Sequence, residues 1–397
     1  MYLCSRNLLS ILLVTMKNPF VISGRIPDEY FCDRVEESRY LVREIVGQGS
    51  NVLLMAKRRI GKTGLIDYCF RRPEVAENFY TFYFDILHTS SLQEFVYEFG
   101  KEVYSSLVPR GQKLIQSLAQ TIHSLSPKFG LDPYNGMPTF SIELGSVTHP
   151  EYTLDEILGW LEHADKPCVV AIDEFQRIGR YPEENIEALL RGKMQKMGNC
   201  HFIFSGSEPH LLAAMFQDKR RPFYKSTTTM ELPPIEIGKY REFARHWMLE
   251  AGHELEVEAF DAFYHYFEGN TFCIQNLLHE AYSELDEGEE CSSAVLQLCL
   301  RNILSRNSNS YREMLSRMTT KQKAVLTAIA IEGKAVKLTS GAFLRRHDLE
   351  SASMVQTALR VLTAEEWVSV SEQVYVVSDQ FFAIWLRQQA GAEIGPR

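Results

Sequence analysis

The sequence lacks the features that would assign it to several specialised protein classes. Its eight cysteines are scattered, with no Cys-x-x-Cys pair and none of the Cys/His spacings that tetrahedral zinc requires. No apolar run approaches the roughly 20 residues that span a bilayer, and no repeat or low-complexity tract is present. The formal net charge of −9 excludes a global positive field that would draw the whole chain onto nucleic acid. We therefore expect a reduced, cytoplasmic, globular protein with no membrane partner.

The first 18 residues form a distinct segment. An apolar run at residues 8–14 resembles the core of a signal peptide, but it is too short to span a bilayer and no small-residue cleavage site follows it. Met16 opens a stretch that is typical of a natural start. We expect residues 1–18 to be a tail, and an over-extended gene start would explain it.

The rest of the chain is long enough for two or three compact units of about 100 to 200 residues. Apolar runs of strand length alternate with helical patterns, which predicts an α/β domain with a mainly parallel sheet over residues 19–236. The predicted strands are 51–55, 79–86, 168–172, 201–205 and 228–232. The predicted helices between them are 62–71, 92–107, 154–163 and 183–197.

Residues 108–150 interrupt this alternation with five prolines and several glycines. A lean α/β unit has short connections, so we interpret this stretch as an insertion. It is expected to be a surface excursion with a short helix or an element that binds a partner.

After Pro233 and Pro234 the strand patterns stop. Residues 237–310 predict an all-α lid domain. Residues 311–390 predict helices at 320–332, 340–347 and 352–366 followed by two short β-runs in 368–377, the order of a winged helix-turn-helix, with residues 391–397 as a tail.

A phosphate-binding loop is predicted where the first strand meets the next helix. In the usual pattern, Gly-x-x-x-x-Gly-Lys-Ser/Thr, the second glycine lets the backbone approach phosphate, the lysine reaches the β and γ oxygens, and the hydroxyl ligates magnesium. Gly61, Lys62 and Thr63 match, whereas Ala56 stands where the first glycine is usual. The predicted ATP-binding residues of the loop are Ala56, Arg58, Arg59, Ile60, Gly61, Lys62, Thr63 and Gly64.

Two acids, Asp173 and Glu174, end an apolar strand. Ligands of open α/β sheets bind at the carboxyl ends of the strands, so we expect this pair to face the phosphate loop. Thr63 and Asp173 are the predicted magnesium residues, with Asp173 acting through water. Glu174 is the predicted catalytic residue that orients or deprotonates the attacking water, and Lys62 is predicted to act with it.

Further polar residues follow the next two strands. A γ-phosphate sensor is expected at Ser205, with Ser207 as its rival. Among the cations that precede the last strand, Arg221 is predicted to neutralise charge during phosphoryl transfer, on its own nucleotide or a neighbour's. Arg220 and Lys225 are alternatives, and a solvated basic loop explains the same residues.

Together these motifs resemble the archaeal and bacterial ATPase family of AAA+-related, STAND-like P-loop proteins, whose members also resemble archaeal replication-initiator ATPases. The resemblance implies an AAA+/ASCE-like P-loop sheet, a helical lid, a C-terminal winged helix, and ATP and Mg²⁺ as cofactors. It also implies that Phe31 and Arg34 belong to the segment beside the adenine. The matching segments are residues 57–63, 171–175, 204–207, 221–224, 268–275, 339–344 and 351–356.

The C-terminal module has a small positive surplus, because residues 311–397 contain eleven Lys and Arg against nine Asp and Glu. If 352–366 is the recognition helix, Val355, Leu359 and Leu362 face the core. The residues expected to face outward are Gln356, Thr357, Arg360 and Thr363. Such a surface would bind double-stranded DNA or a protein.

Three hypotheses follow from these patterns. The first is a Mg-dependent ATPase that acts as a nucleotide-controlled switch, with slow or partner-dependent hydrolysis to ADP and with nucleotide-dependent self-association open. The second is a DNA-associated regulator that binds ATP without significant hydrolysis. The third is a scaffold whose phosphate loop is degenerate because of Ala56.

Overall fold

The computed structural model describes residues 17–125, 128–131, 138–286 and 288–396, so the apolar run 8–14 and the proposed start at Met16 lie outside it. The chain divides into two compact units, one formed by Arg34–Pro233 and the other by Pro234–Arg397 together with Met1–Asp33. In the described residues, no helix combines the length and the apolar character needed to cross a membrane. The finer division into tail, core, lid and winged helix stays a prediction.

The unit Arg34–Pro233 is built on a five-stranded parallel sheet, as predicted. The sheet strands are β1 Val52–Met55, β2 Tyr80–Asp85, β5 Cys168–Asp173, β6 Cys200–Gly206 and β7 Thr228–Glu231. They lie in the order β2-β5-β6-β1-β7, so β6 is inserted between β1 and β5. Because all five are parallel, the loops that follow β1, β5 and β6 meet at one edge of the sheet.

Helices cover both faces of this sheet. Every residue of β1 and β5 is buried, which is the pattern of strands packed on both sides. The helices of the unit are α1 Val35–Val42, α2 Lys62–Arg71, α3 Pro73–Ala76, α4 Leu92–Leu107, α5 Gln112–Thr121, α6 Pro150–Glu162, α7 Ile186–Met194 and α8 Pro209–Gln217. A 3₁₀ turn, Phe175–Arg180, follows β5 directly.

The stretch 108–150 contains the expected short helix, α5, and also an antiparallel hairpin of β3 Lys128–Leu131 and β4 Pro138–Ser141. Its apolar side chains join the buried core of the unit. These side chains are Leu118, Ile122, Leu125, Ile142 and Val147. The segment is therefore more than a surface excursion, because its burial supports the sheet.

Over its described residues, the second unit is helical apart from one hairpin. Its helices are α9 Ile237–Glu250, α10 Val257–Tyr266, α11 Thr271–Glu284, α12 Ser293–Ser316, α13 Thr320–Glu332, α14 Gly341–Arg346, α15 Ala352–Ala364 and α16 Gln380–Gln389. The hairpin consists of β8 Val368–Ser371 and β9 Val374–Val377. One hydrophobic core runs through the whole set, and α12 continues without a break past residue 310.

The three helices and the hairpin of a winged helix are present, as predicted from the sequence. Thr319 and Gln322 form a reciprocal capping box that starts α13, and Ser351 caps α15. On α15, the predicted inward residues are buried, Gln356, Thr357 and Arg360 are exposed, and Thr363 is half-buried. The terminal helix α16 was not predicted.

Candidate functional site

The loop between β1 and α2 has the backbone geometry of a phosphate-binding loop. Gly61 precedes α2 with a φ of 98°, in the region that favours glycine, and Arg59 has a φ of 65°. A Cβ at Gly61 would meet no atom within 4 Å, so the backbone conformation alone requires glycine here. Lys62 opens the helix and is only 7% exposed, and Gly64 lies in the first turn. The N–H groups of that turn therefore face the space where an anion would bind.

Two further residues shape this loop. Ala56 is buried and does not adopt a positive φ, so alanine fits where the usual pattern has glycine. Arg34 is also buried, and its guanidinium donates to the carbonyl of Ile60 at 3.2 Å and pairs with Glu37 at 2.8 Å. Arg34 thus supports the loop from behind. Phe31, its predicted companion at the adenine, belongs to the other unit, and its role stays a prediction.

Asp173 lies at the centre of the site, at the carboxyl end of β5. Its Oδ1 accepts hydrogen bonds from Ser205 Oγ at 2.6 Å and from the backbone N–H of Glu174 at 3.0 Å. Its Oδ2 accepts from Tyr83 Oη at 2.8 Å and from Thr63 Oγ1 at 3.3 Å. The lysine-threonine end of the phosphate loop and the acidic end of β5 therefore converge, as the sequence predicted.

Sequence reasoning missed Tyr83, which reaches this carboxylate from β2. Its hydroxyl is also 3.4 Å from Thr63 Oγ1, so it contacts both predicted magnesium residues. Burial first, and then the neighbouring Asp173, raises the pKa of Tyr83 well above its ordinary value, which keeps the phenol protonated as a donor. One feature of the sequence could have indicated Tyr83. Side chains of a strand alternate between its two faces, and in β2 this places Tyr83 on the same face as Asp85.

Glu174 is held by groups that the sequence did not connect to it. It adopts a left-handed φ of 56°, and its Oε2 accepts from Gln176 Nε2 at 2.5 Å, Ser207 Oγ at 2.7 Å and the Ser207 N–H at 3.2 Å. Arg58 of the phosphate loop donates to Ser207 Oγ at 3.4 Å. The described contacts give Oε1 of Glu174 no donor. Glu174 is thus anchored through one oxygen while the other can accept a proton.

Gln176 fits tightly into this arrangement. A Cβ at Gly206 would collide with its Oε1, an atom that is buried without a hydrogen-bond partner. The amide is therefore oriented by its one bond to Glu174 rather than by a full set of partners. Only glycine at position 206 leaves it room.

Two cations of the basic segment before β7 are paired with acids. Both Nε and Nη2 of Arg221 bind the Glu187 carboxylate on α7, with the Nε bond at 3.0 Å. Arg220 binds Asp218 at 2.8 Å. Burial raises the pKa of Glu187, and Arg221 opposes that shift. A catalytic role for Arg221 would require it to leave this partner, and that role stays a prediction.

Comparisons with known proteins agree with this fold. A family model described as "Probable winged helix domain" matches residues 309–388. A search of curated proteins finds no match. A solved Walker-type ATPase of Pyrococcus abyssi is similar over 93% of this chain and 99% of its own, with 19% identity and a TM-score of 0.61.

Two origin-recognition proteins of Aeropyrum pernix are also similar. The ORC2 protein, solved in ADPNP and ADP complexes, matches over 95% of this chain and 99% of its own, with 12% identity and a TM-score of 0.53. The ORC1 protein, solved in complex with DNA, matches over 94% and 97%, with 14% identity and a TM-score of 0.50. The chain has a P-loop ATPase fold with a C-terminal winged helix. At these identities the likeness establishes the fold alone, and the STAND-like detail stays a prediction.

The donor set of this P-loop site fits magnesium. Mg²⁺ prefers hard oxygen ligands in an octahedron and is usually held by one or two protein groups together with phosphate oxygens and water. Thr63 and Asp173 supply such oxygens side by side. Across the residues that the structure describes, no cluster of three or more His, Cys, Asp or Glu side chains could hold a metal by itself.

Proposed function

We propose that this chain binds ATP with Mg²⁺ and hydrolyses it slowly, as a nucleotide-controlled switch coupled to a winged helix that binds DNA or a protein. The observation that carries the proposal is the convergence of the phosphate loop and the acidic strand. Thr63 Oγ1 lies 3.3 Å from Asp173 Oδ2, although the two residues are 110 positions apart in the chain. A loop and a carboxylate so placed serve a metal-bound polyphosphate better than any other common ligand.

Each residue of the site has a role in this proposal. The N–H groups at the start of α2 and the Lys62 ammonium bind the phosphates, while Thr63 and Asp173 hold the metal. Bound magnesium would neutralise the charge that develops on the transferred phosphoryl group. Glu174 keeps its Oε1 available to take a proton from water, and Ser207 and Gln176 fix its position.

The second unit supports the coupling between lid and winged helix. Helices of both regions share one hydrophobic core, and Trp385 of α16 donates to Ser308 Oγ on α12 at 3.2 Å. Tyr311, also on α12, packs against Phe382 and Trp385. A displacement of the lid helices would therefore carry the winged helix with it.

The surface of the winged helix limits what it can bind. Several of its cations are engaged by acids, as in the pairs Lys321–Glu350 and Arg346–Glu332. The hairpin residues 368–377 contain no Lys or Arg and one acid, Glu372. From α13 onward, the exposed cations of the described residues that lie outside such pairs are Lys337, Arg345 and Arg360. If all three contact phosphates, the logarithm of the DNA affinity should fall with the logarithm of salt with a slope of about −3.

Filter binding of random duplex DNA at several salt concentrations tests that part of the proposal. A slope near −3 supports a DNA partner. No retention of duplex at low salt, with and without Mg-ATP, would assign the winged helix to a protein partner.

Hydrolysis is tested by the substitution Glu174→Gln. It removes the group that accepts a proton from water but keeps the side-chain shape, so turnover should fall by at least about a hundredfold while Mg-ATP binding is retained. Glu77→Gln is a matched control, because Glu77 is exposed and precedes β2 at the opposite end of the strands. Equal turnover in Glu174→Gln and wild type would remove Glu174 from the mechanism.

A DNA-associated regulator that binds ATP without significant hydrolysis is the second candidate. The ion pair between Arg221 and Glu187 favours it, because that arginine is engaged elsewhere and does not complete the site. Wild-type protein that binds Mg-ATP but shows no phosphate release, alone or with DNA, would support this candidate over the first.

A further inference from the structure

The carboxylate of Asp173 is surrounded by donors from its own chain. A carboxylate offers about four lone-pair positions, and Asp173 accepts four hydrogen bonds, all from its own chain. The Thr63 hydroxyl can ligate a metal through an oxygen lone pair while it still donates its proton to Asp173 Oδ2. Of the two donors to Oδ2, the hydroxyl of Tyr83 is the nearer, at 2.8 Å against 3.3 Å for the hydroxyl of Thr63.

Tyr83 is well placed for this task. Its Oη lies 2.8 Å from Asp173 Oδ2 and 3.4 Å from Thr63 Oγ1, so it contacts both groups that the proposed function assigns to magnesium. The strand that carries it is firmly held. The backbone of β2 pairs in register with β5, and the Tyr83 N–H donates to Glu102 Oε1 at 3.3 Å on the neighbouring helix α4.

We propose that Tyr83 is a positioning residue for the magnesium ion. Its hydroxyl fixes the plane of the Asp173 carboxylate and supplies a permanent donor where a water molecule would otherwise have to be ordered. Because this donor belongs to a strand of the sheet, no entropy is lost in ordering it when metal and nucleotide bind. This inference rests on the proposed function, since it concerns the same nucleotide site.

A purely structural role for the hydroxyl predicts something different. In that case the loss of Tyr83 Oη would change stability, and nucleotide binding with and without metal would change by the same factor. A positioning role changes only the increase in nucleotide affinity that the metal provides. Hydrogen-bond partners of metal-binding groups typically contribute 10- to 100-fold in metal affinity. The ratio of the two affinities therefore separates the two roles.

The experiment measures the dissociation constant of a non-hydrolysable ATP analogue by calorimetry, in Mg²⁺ and in EDTA, for wild type and Tyr83→Phe. We expect Tyr83→Phe to weaken binding about tenfold or more in Mg²⁺ and to leave binding in EDTA unchanged. Tyr80→Phe is the matched control, because it removes a hydroxyl from the same strand that bonds to Asp165, at 3.0 Å. The control should match wild type in both buffers.

The same titration separates this inference from the proposed function. If wild type binds the analogue and Mg²⁺ increases the affinity of Tyr83→Phe by the same factor as that of wild type, the role of Tyr83 is overturned and the proposed function is not. If wild type fails to bind the analogue, or binds it without any effect of Mg²⁺, the proposed function fails and this inference fails with it.

A double substitution keeps the test decisive if Tyr83→Phe alters stability. If Tyr83 acts through Asp173, then adding Tyr83→Phe to an Asp173→Asn protein should cause no further loss of the Mg²⁺ effect. Additive losses in the double variant would show that the hydroxyl acts independently of Asp173, against the proposal.

Discussion

At the scale of single residues, the two serines at the carboxyl end of β6 bond to different acids. Ser205 Oγ bonds to Asp173, the proposed metal residue, whereas Ser207 Oγ bonds to Glu174, the proposed base. The sequence placed both serines at the right strand end but could not distinguish them. Tertiary contacts determine which acid each serine bonds to, and the spacing of residues along the strand does not predict these contacts.

This division predicts two different phenotypes. Ser205→Ala should weaken Mg-dependent binding of an ATP analogue by about tenfold, because a hydrogen bond to a charged group contributes about 1.5 to 3 kcal/mol. Ser207→Ala should leave that affinity unchanged and lower kcat about tenfold, because Glu174 is less firmly oriented. Calorimetry together with phosphate-release kinetics gives both quantities. Identical behaviour of the two variants would contradict the assignment.

Single residues also show where sequence reasoning stops. Lys62, Thr63, Asp173 and Glu174 belong to short motifs whose spacing has a chemical reason, so they could be found without coordinates. Tyr83 belongs to no motif, and only the adjacency of β2 and β5 brings its hydroxyl to Asp173. Adjacency of strands that are distant in sequence is a property of topology.

At the scale of elements, the backbone conformation of the phosphate loop explains why the loop tolerates alanine at position 56 but requires glycine at position 61. Gly61 has a φ of 98°, in the left-handed region, where a Cβ costs about 1 to 2 kcal/mol, whereas Ala56 does not adopt a positive φ. We predict that Gly61→Ala lowers the affinity for Mg-ATP by tenfold or more, whereas Ala56→Gly changes it by less than about threefold.

Equilibrium binding of a fluorescent ATP analogue measures both variants. A strong loss in Ala56→Gly, or none in Gly61→Ala, would mean that the loop geometry is not what controls phosphate binding. A strong gain in Ala56→Gly would instead revive the view that the loop is degenerate.

The secondary structure could be predicted where local chemistry marks it. Helix α2 and helix α4 lie where the sequence predicted them, since a glycine precedes one and Ser91 caps the other. Helix α6 begins earlier than expected because Pro150 occupies its first turn, which proline favours. The hairpin of β3 and β4 was missed, because a stretch rich in proline and glycine gives little periodic signal.

At the scale of the whole molecule, the lid helices and the winged helix belong to one compact unit with a common core. The sequence indicated a change of texture near residue 311, yet α12 continues from Ser293 to Ser316. A change of sequence composition reflects a change in the exposed residues. It does not show whether two regions share one hydrophobic core. The division at 310 stays a prediction.

The shared core predicts joint stability. Trp385→Ala removes a buried indole that contacts α12, so the unit should lose about 3 to 5 kcal/mol, with α9–α12 and α13–α16 losing protection together. Hydrogen exchange measured by mass spectrometry locates the effect. Trp367→Ala is the control, because Trp367 is only partly buried and bonds to Glu365, so its loss should be smaller. Loss of protection in α13–α16 alone would show that the two regions are independent.

We propose that Lys62, Thr63 and Asp173 together bind one magnesium-nucleotide complex. The most direct measurement is a calorimetric titration of a non-hydrolysable ATP analogue, with and without Mg²⁺, into wild type and Lys62→Ala. We predict saturable binding of one nucleotide per chain that Mg²⁺ strengthens, and a loss of affinity of at least about tenfold in Lys62→Ala. Equal binding by the two proteins, or no binding by wild type, would contradict it.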